Sequence, residues 1–275
     1  MGNHVNDQHY VPQFLLRHFC SSDNKHIWCY DKTWRNLNNR SISKVAYEEH
    51  FYDHIKGQKE GSLEYLFQKA EADTAPIILK IIETNDLDSL TIDEKVIISL
   101  FIMLQLNRTK AALKNTERFA LDFVEPIKKL AIELNAKLDF EEIIPKELWF
   151  SMLMKTPNLC IPLINKIWVL LESNKKFYTS DNPIVRQNTI NRNPHRGTLG
   201  INSDGIEIYF PLSPSLVLCL FCERAYSWLK EKRMPSNAEN IENVNSLQVI
   251  YSDRFVFSSQ NDFELVEDMI NKGEA

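Results

Sequence analysis

His9 and Asp181 are the two residues of this chain whose types and settings best suit proton transfer. Each lies beside a proline-marked turn, in His9-Tyr10-Val11-Pro12 and in Ser180-Asp181-Asn182-Pro183. Polar groups at such edges are commonly held by a rigid scaffold for binding or catalysis. An imidazole titrates near neutrality and can give or accept a proton. A carboxylate can act as a base, ligate a metal or orient a histidine. A helix opening at Pro12 would also direct free backbone N–H groups toward an anion close to His9. The plain alternatives are local: His9 satisfies a backbone group, and Asp181 staples its own turn.

Glu64 and Glu71 sit two turns apart on nearly one face of an expected helix, with Glu71 beside the apolar stripe at Ala70 and Thr74. Gln105 and Arg108, three residues apart, emerge from an otherwise apolar helix. A guanidinium in such a place is costly unless paired, and Glu71 or Asp181 is the obvious partner. Carboxylate, amide and guanidinium together would suit a phosphate or carboxylate ligand, or a structural ion pair between elements. Residues 174–196 carry Lys175, Lys176, Arg186, Arg192 and Arg196 against Asp181 alone, besides His195, which reads as a solvated loop or a basic patch.

Other combinations are weaker. His50 and His54 follow Cys20 and Cys29, but eight residues separate those cysteines and the histidine segment looks extended, so a zinc finger is disfavoured. Cys219 and Cys222 have redox or zinc spacing, yet they close the apolar run from Leu216 to Phe221 and read as core thiols. Gly-rich phosphate loops, dinucleotide fingerprints, the His-Glu-x-x-His motif and nucleophile elbows are all absent.

The elements that must position these groups alternate in type. A short helix is expected over Pro12 to Phe19, then strands at His26 to Tyr30, Arg40 to Val45 and Phe51-Tyr52. From Ser62 the apolar spacing becomes three and four, giving an amphipathic helix to about Ile81 that contains Pro76. Thr91 and Glu94 form a capping box for one long helix running through Leu106 to about Val124 and restarting at Pro126, and Pro145 opens another. The last third predicts a hairpin of 164–171 with 176–179, a second of 206–210 with 216–221, helices over 223–231 and 238–250, a strand at 255–258 and a closing helix over 263–270. The polar stretch at about 184–205 has no period and reads as a lid or binding loop. The expectation is a single α+β domain over 1–275: a mostly antiparallel sheet packed against a helical subdomain at about 61–155.

Length and composition agree. The 275 residues, 44% hydrophobic and 25% charged, suffice for a large core. A net charge of −5 excludes a protein that coats nucleic acid through a broad cationic surface. Five cysteines without a secretory leader point to reduced thiols and a cytoplasmic location, and the longest apolar run, Val96 to Leu106, is too short for a membrane span.

The chain resembles a bacterial family of unknown function that opens on a His-Tyr-Val-Pro motif leading to Leu-Arg-x-Phe, here Leu16-Arg17-His18-Phe19. The family's Thr-Ser-Asp-Asn-Pro motif is Thr179 to Pro183, and its proline-leucine-serine-proline turn is Pro211 to Pro214. The likeness runs from His9 to about Phe257. It aligns the family's glutamate with Glu71, Glu64 competing, and its Gln-x-x-Arg with Gln105 to Arg108. The resemblance implies that His9, Glu71, Gln105, Arg108, Asp181 and Asn182 form one recurring set, and it names no reaction.

The functional reading is a phosphodiester-directed hydrolase, a nuclease in the sharpest form. His9, Asp181 and Glu71 would do the chemistry, and Tyr10, Gln105, Arg108, Asn182 and Arg186 would hold substrate. Glu71 and Asp181 could share Mg²⁺ or Mn²⁺ through oxygen ligands. The partner would then be nucleic acid or a small anionic ligand, and no membrane is implied. The alternative is a non-catalytic binding or regulatory module that recognises a small anion or a protein partner.

Overall fold

The computed structural model describes residues 6–53, 63–135, 145–192 and 197–275. In chain order the elements are β1 (Asp7–His9), α1 (Gln13–Arg17), β2 (His26–Asp31), β3 (Asn36–Ser41), β4 (Tyr47–Glu49), α2 (Glu64–Thr84) and α3 (Ile92–Arg108). Then come α4 (Lys110–Phe119), α5 (Glu125–Glu133), α6 (Pro145–Lys155), α7 (Ile161–Ile164), β5 (Ile167–Glu172), β6 (Thr179–Ser180) and β7 (Val185–Asn188). The chain closes with β8 (Ile206–Ser213), β9 (Leu216–Phe221), α8 (Glu223–Tyr226), β10 (Arg233–Pro235), α9 (Ala238–Tyr251), β11 (Phe255–Ser258) and α10 (Glu264–Lys272).

The class is α+β, with the described strands spread over three sheets. Five strands run in the order β10-β5-β9-β8-β7, antiparallel except for the parallel pair β10–β5. Four run β3-β2-β11-β6, all antiparallel, and β1 pairs with β4. In β8 and β9 the residues Ile208, Phe210, Leu218 and Leu220 face one core with Ile78, Phe101 and Ile102 of α2 and α3, while Tyr209, Val217 and Cys219 face a second core with Val244 and Leu247 of α9. Both faces are covered, which is why these strands are apolar at nearly every position. Cys219 and Cys222 are buried thiols, as their apolar run implies.

Five local expectations are corrected. The strand expected over Arg40 to Val45 lies earlier, as β3, and Ile42–Lys44 is a short 3-10 turn capped by Ser41, whose side chain accepts from the Ser43 N–H. The long helix after Thr91 breaks at Thr109, whose extended backbone and side chain, accepting from the Ala112 N–H, cap α4 as a new helix. A threonine that bonds its own downstream N–H competes with helix continuation. The hairpin of 164–171 with 176–179 does not form: β5 pairs with β9, and Thr179–Ser180 joins β11 in the other sheet. The Phe51-Tyr52 strand is a turn after β4, and the helix expected over 223–231 is only Glu223–Tyr226. The polar stretch opens with β7, and its return is fastened by Asn188 Nδ2, which donates to the Thr198 and Asp204 carbonyls at 3.0 and 2.8 Å. His54, His195 and Arg196 lie outside the described residues. No single described helix is long and apolar enough to cross a membrane.

Candidate functional site

Strand alternation sorts the opening motif. In β1 the even position Gln8 is fully buried while Asp7 and His9 are half-buried, so His9 points the other way from Gln8. The Gln8 amide donates to Asp53 Oδ1 at 2.7 Å and accepts from the Tyr52 N–H at 2.6 Å, and His50 Nδ1 lies 2.9 Å from Asp53 Oδ2. His9, across the pair from Tyr47, opens into a cavity of about 440 Å³. Its described lining includes Asp7, His9, Gln13, Lys44, Glu64 and Glu71. Gln13, one turn along from His9, places its amide 3.4 Å from His9 Nε2. Burial lowers the imidazole pKa below its ordinary 6.5, and the nearby Arg108 cation also lowers it, although the Ile42 backbone works against them. His9 is therefore a neutral imidazole at pH 7, able to accept a proton.

Behind the cavity wall sits Arg108. The break at Thr109 ends α3 on this residue, and its side chain is 1% exposed. Nη2 lies 2.8 Å from Glu71 Oε1, an ion pair without hydrogen-bond alignment, and Nε has no hydrogen-bond partner among the described residues. The guanidinium also lies 4.8 Å from the Phe67 ring centroid. Burial acts to lower its pKa, but Glu71 and Tyr52 outweigh this and hold the guanidinium charged. Glu64 also lines the cavity, and burial raises its carboxyl. Gln105 is fully buried and donates to the Tyr10 carbonyl at 2.9 Å, tying α3 to the end of β1.

Tyr10 itself is 3% exposed, and burial with Asp181 as its strongest charged neighbour raises its hydroxyl pKa. Asp181 is sealed in the backbone. Oδ1 accepts the Asp253 N–H at 2.8 Å, and Oδ2 accepts the Arg254 and Phe255 N–H groups at 2.7 and 2.9 Å. Burial raises its carboxyl to about 6, against the pull of those donors. The motif is positioned from α9: Gln248 accepts from Ser180 Oγ at 2.7 Å and donates to the Pro183 carbonyl at 3.0 Å.

The residues expected to converge thus fall into three groups. His9 and Glu71 share one cavity, backed by Arg108. Asp181 staples β6 to the start of β11 and is not among the described residues lining that cavity. Asn182 and Arg186 line a different cleft, against Thr109 and Asn115 of the α3–α4 region. Gln13 was the residue most readily missed, although its position four after His9, on the first turn beyond Pro12, is a signal. The Gln8–Asp53–His50 contacts carried no such signal, because the chain between them has no fixed period.

Among the described residues no group of three or more His, Cys, Asp or Glu side chains is arranged to hold a metal ion. The family described as "Protein of unknown function (DUF4238)" matches residues 7–262. Neither the curated proteins nor the solved structures give a match.

Proposed function

The chain belongs to the DUF4238 family, whose function is unknown, and from the cavity's own chemistry we propose a phosphodiester-directed hydrolase of the nuclease type centred on His9. The observation that carries this reading is an imidazole kept neutral by burial at the wall of an open, polar cavity that also presents Glu71. His9, its Nε2 3.4 Å from the Gln13 amide, takes a proton from an attacking water. The water oxygen bonds to phosphorus, the P–O ester bond breaks, and the leaving alkoxide recovers a proton from the imidazolium or solvent. Arg108 is too buried to touch substrate and acts through Glu71, whose carboxylate it orients.

The lining sets the metal question. Among the described lining residues the carboxylates Asp7, Glu64 and Glu71 outnumber the one cation, Lys44, and Arg108 behind the wall is held by Glu71, so the described lining offers a bare phosphodiester little positive charge. Mg²⁺ or Mn²⁺ commonly binds through one or two carboxylates together with the substrate's phosphate oxygens, and in that form the substrate supplies the missing ligands. Cleavage of single-stranded DNA, duplex DNA and RNA at pH 7, in Mg²⁺, Mn²⁺ or EDTA, tests the reading. Metal-dependent cleavage that is lost in His9→Ala, with the unfolding midpoint unchanged, supports it. No cleavage with either cation, or full cleavage by His9→Ala, refutes it.

A second reading makes these polar residues a structural lock, and Asp181 favours it, because its three donors are backbone N–H groups that staple β6 to the start of β11. The same experiment separates the two. A lock predicts that His9→Ala lowers stability and alters no activity.

A further inference from the structure

Arg186 is a cation without an anionic partner among the described residues. It sits in β7, an edge strand of the five-stranded sheet, and its one side-chain hydrogen bond to the described residues sends Nη1 to the Leu199 carbonyl at 3.0 Å. No carboxylate of the described residues lies within ion-pair distance, and Asp181, nearest in sequence, is fully engaged by backbone N–H groups. Burial pushes the Arg186 guanidinium pKa down, so the group is partly stripped of water and has no counter-charge in exchange.

Two adjoining lobes of a cleft meet at this residue, of about 310 Å³ and about 150 Å³, and both are lined by Leu106, Ala112, Asn115 and Arg186. Neither is lined by a described Asp or Glu. The larger lobe runs under Phe119, Trp149 and Met152. Trp149 Nε1 is already spent on the Asn107 carbonyl at 2.7 Å, so its ring offers the lobe an apolar surface. The side chain of Asn115, exposed and also in both linings, makes no hydrogen bond to another described residue and is a ready second donor. The larger lobe lies at the small end of the range of small-molecule sites, and an apolar wall with a few convergent polar groups is their usual character.

We propose that this cleft binds a small monocarboxylic acid with an aromatic or branched apolar body, its carboxylate on Arg186 and Asn115 and its body along Phe119, Trp149 and Met152. A single guanidinium with one amide neutralises one negative charge and matches the fork of a carboxylate. A phosphate dianion would be left half-compensated in an apolar cleft. The site is separate from the His9 cavity, and binding here does not depend on hydrolysis there.

The test is calorimetric titration of the full chain with phenylacetate through 6-phenylhexanoate, beside the matching phenyl alcohols and inorganic phosphate. Saturable binding of at least one acid is expected, with the alcohol of the same length binding roughly tenfold or more weakly, the ratio given by one charge-assisted hydrogen bond. Arg186→Met should weaken the acid roughly tenfold or more and leave the alcohol unchanged. Ala112→Phe, which fills the shared wall of the lobes, should abolish both and keeps the test decisive if Arg186→Met does not fold. His9→Ala should bind as the wild type does. No acid binding below roughly 10 mM, acid affinity unchanged in Arg186→Met, or binding that survives Ala112→Phe overturns the proposal. Phosphate binding as tightly as the acids would overturn it too.

Discussion

Removing the Glu71 carboxylate should cost this protein stability well beyond a surface substitution, because Arg108 would lose its counter-charge where water cannot replace it. Arg108 is 1% exposed, and its Nε already lacks a hydrogen-bond partner among the described residues. Breaking a buried ion pair from one side usually costs about 3–5 kcal/mol. Glu71 keeps 27% of its side chain exposed, so part of the attraction is screened, and about 2–3 kcal/mol is expected for Glu71→Ala. Glu71→Gln keeps an acceptor oxygen and should cost less. Arg108→Met takes away the charge and leaves an apolar chain against Phe67, and the Tyr52 hydroxyl still has the residue-108 carbonyl, 3.0 Å away in the wild type, as its acceptor. In the double variant Glu71→Ala/Arg108→Met no uncompensated charge remains. Its loss should therefore fall short of the sum of the single losses by about 2 kcal/mol. Urea unfolding followed by circular dichroism measures all four proteins, and 1 M salt should change the coupling little, since a partly buried pair is weakly screened. A Glu71→Ala cost below about 1 kcal/mol, or strictly additive losses, would show that Arg108 is compensated by something other than Glu71.

Three further outcomes are expected. The His9 imidazole, followed by proton NMR, should titrate below 6.5, and because the unfolded state then binds more protons in that window, His9 adds stability that fades as pH falls from 6.5 through its folded value. A midpoint at or above 6.5 would remove the basis for a neutral base. Asp181→Ala leaves three backbone N–H groups at the start of β11 without their acceptor, and a loss of at least about 3 kcal/mol is expected in thermal or urea unfolding. A near-neutral variant would contradict the stapling role. Thr91→Ala removes one half of a complete capping box on α3 and should cost about 1 kcal/mol by the same measurement, with no effect on cleavage.

Local chemistry in the sequence determined much of this protein. The Thr91–Glu94 box, the period change that opens α2, the β8–β9 hairpin and the α+β class all rest on interactions within a few residues, or on which faces are apolar. His9 and Glu71 as members of one cavity were legible too, through residue type and resemblance. Tertiary structure alone decided the rest. Thr109 could cap or continue a helix; it caps α4 through the Ala112 N–H, and its hydroxyl also donates to Asn182 Oδ1 at 3.2 Å, a partner seventy-three residues away, so that α3 ends on Arg108 against Glu71. The segment 176–179 could fold back on β5 as a hairpin, but β5 pairs with β9 and Thr179–Ser180 joins the other sheet. Asp181 has the type and setting of a base, and whether it meets solvent depends on β11, some seventy residues later, which closes over it with three N–H donors. A side chain's identity fixes what chemistry it can do, whereas its water, its partners and its charge are set by chain segments that the local sequence does not contain.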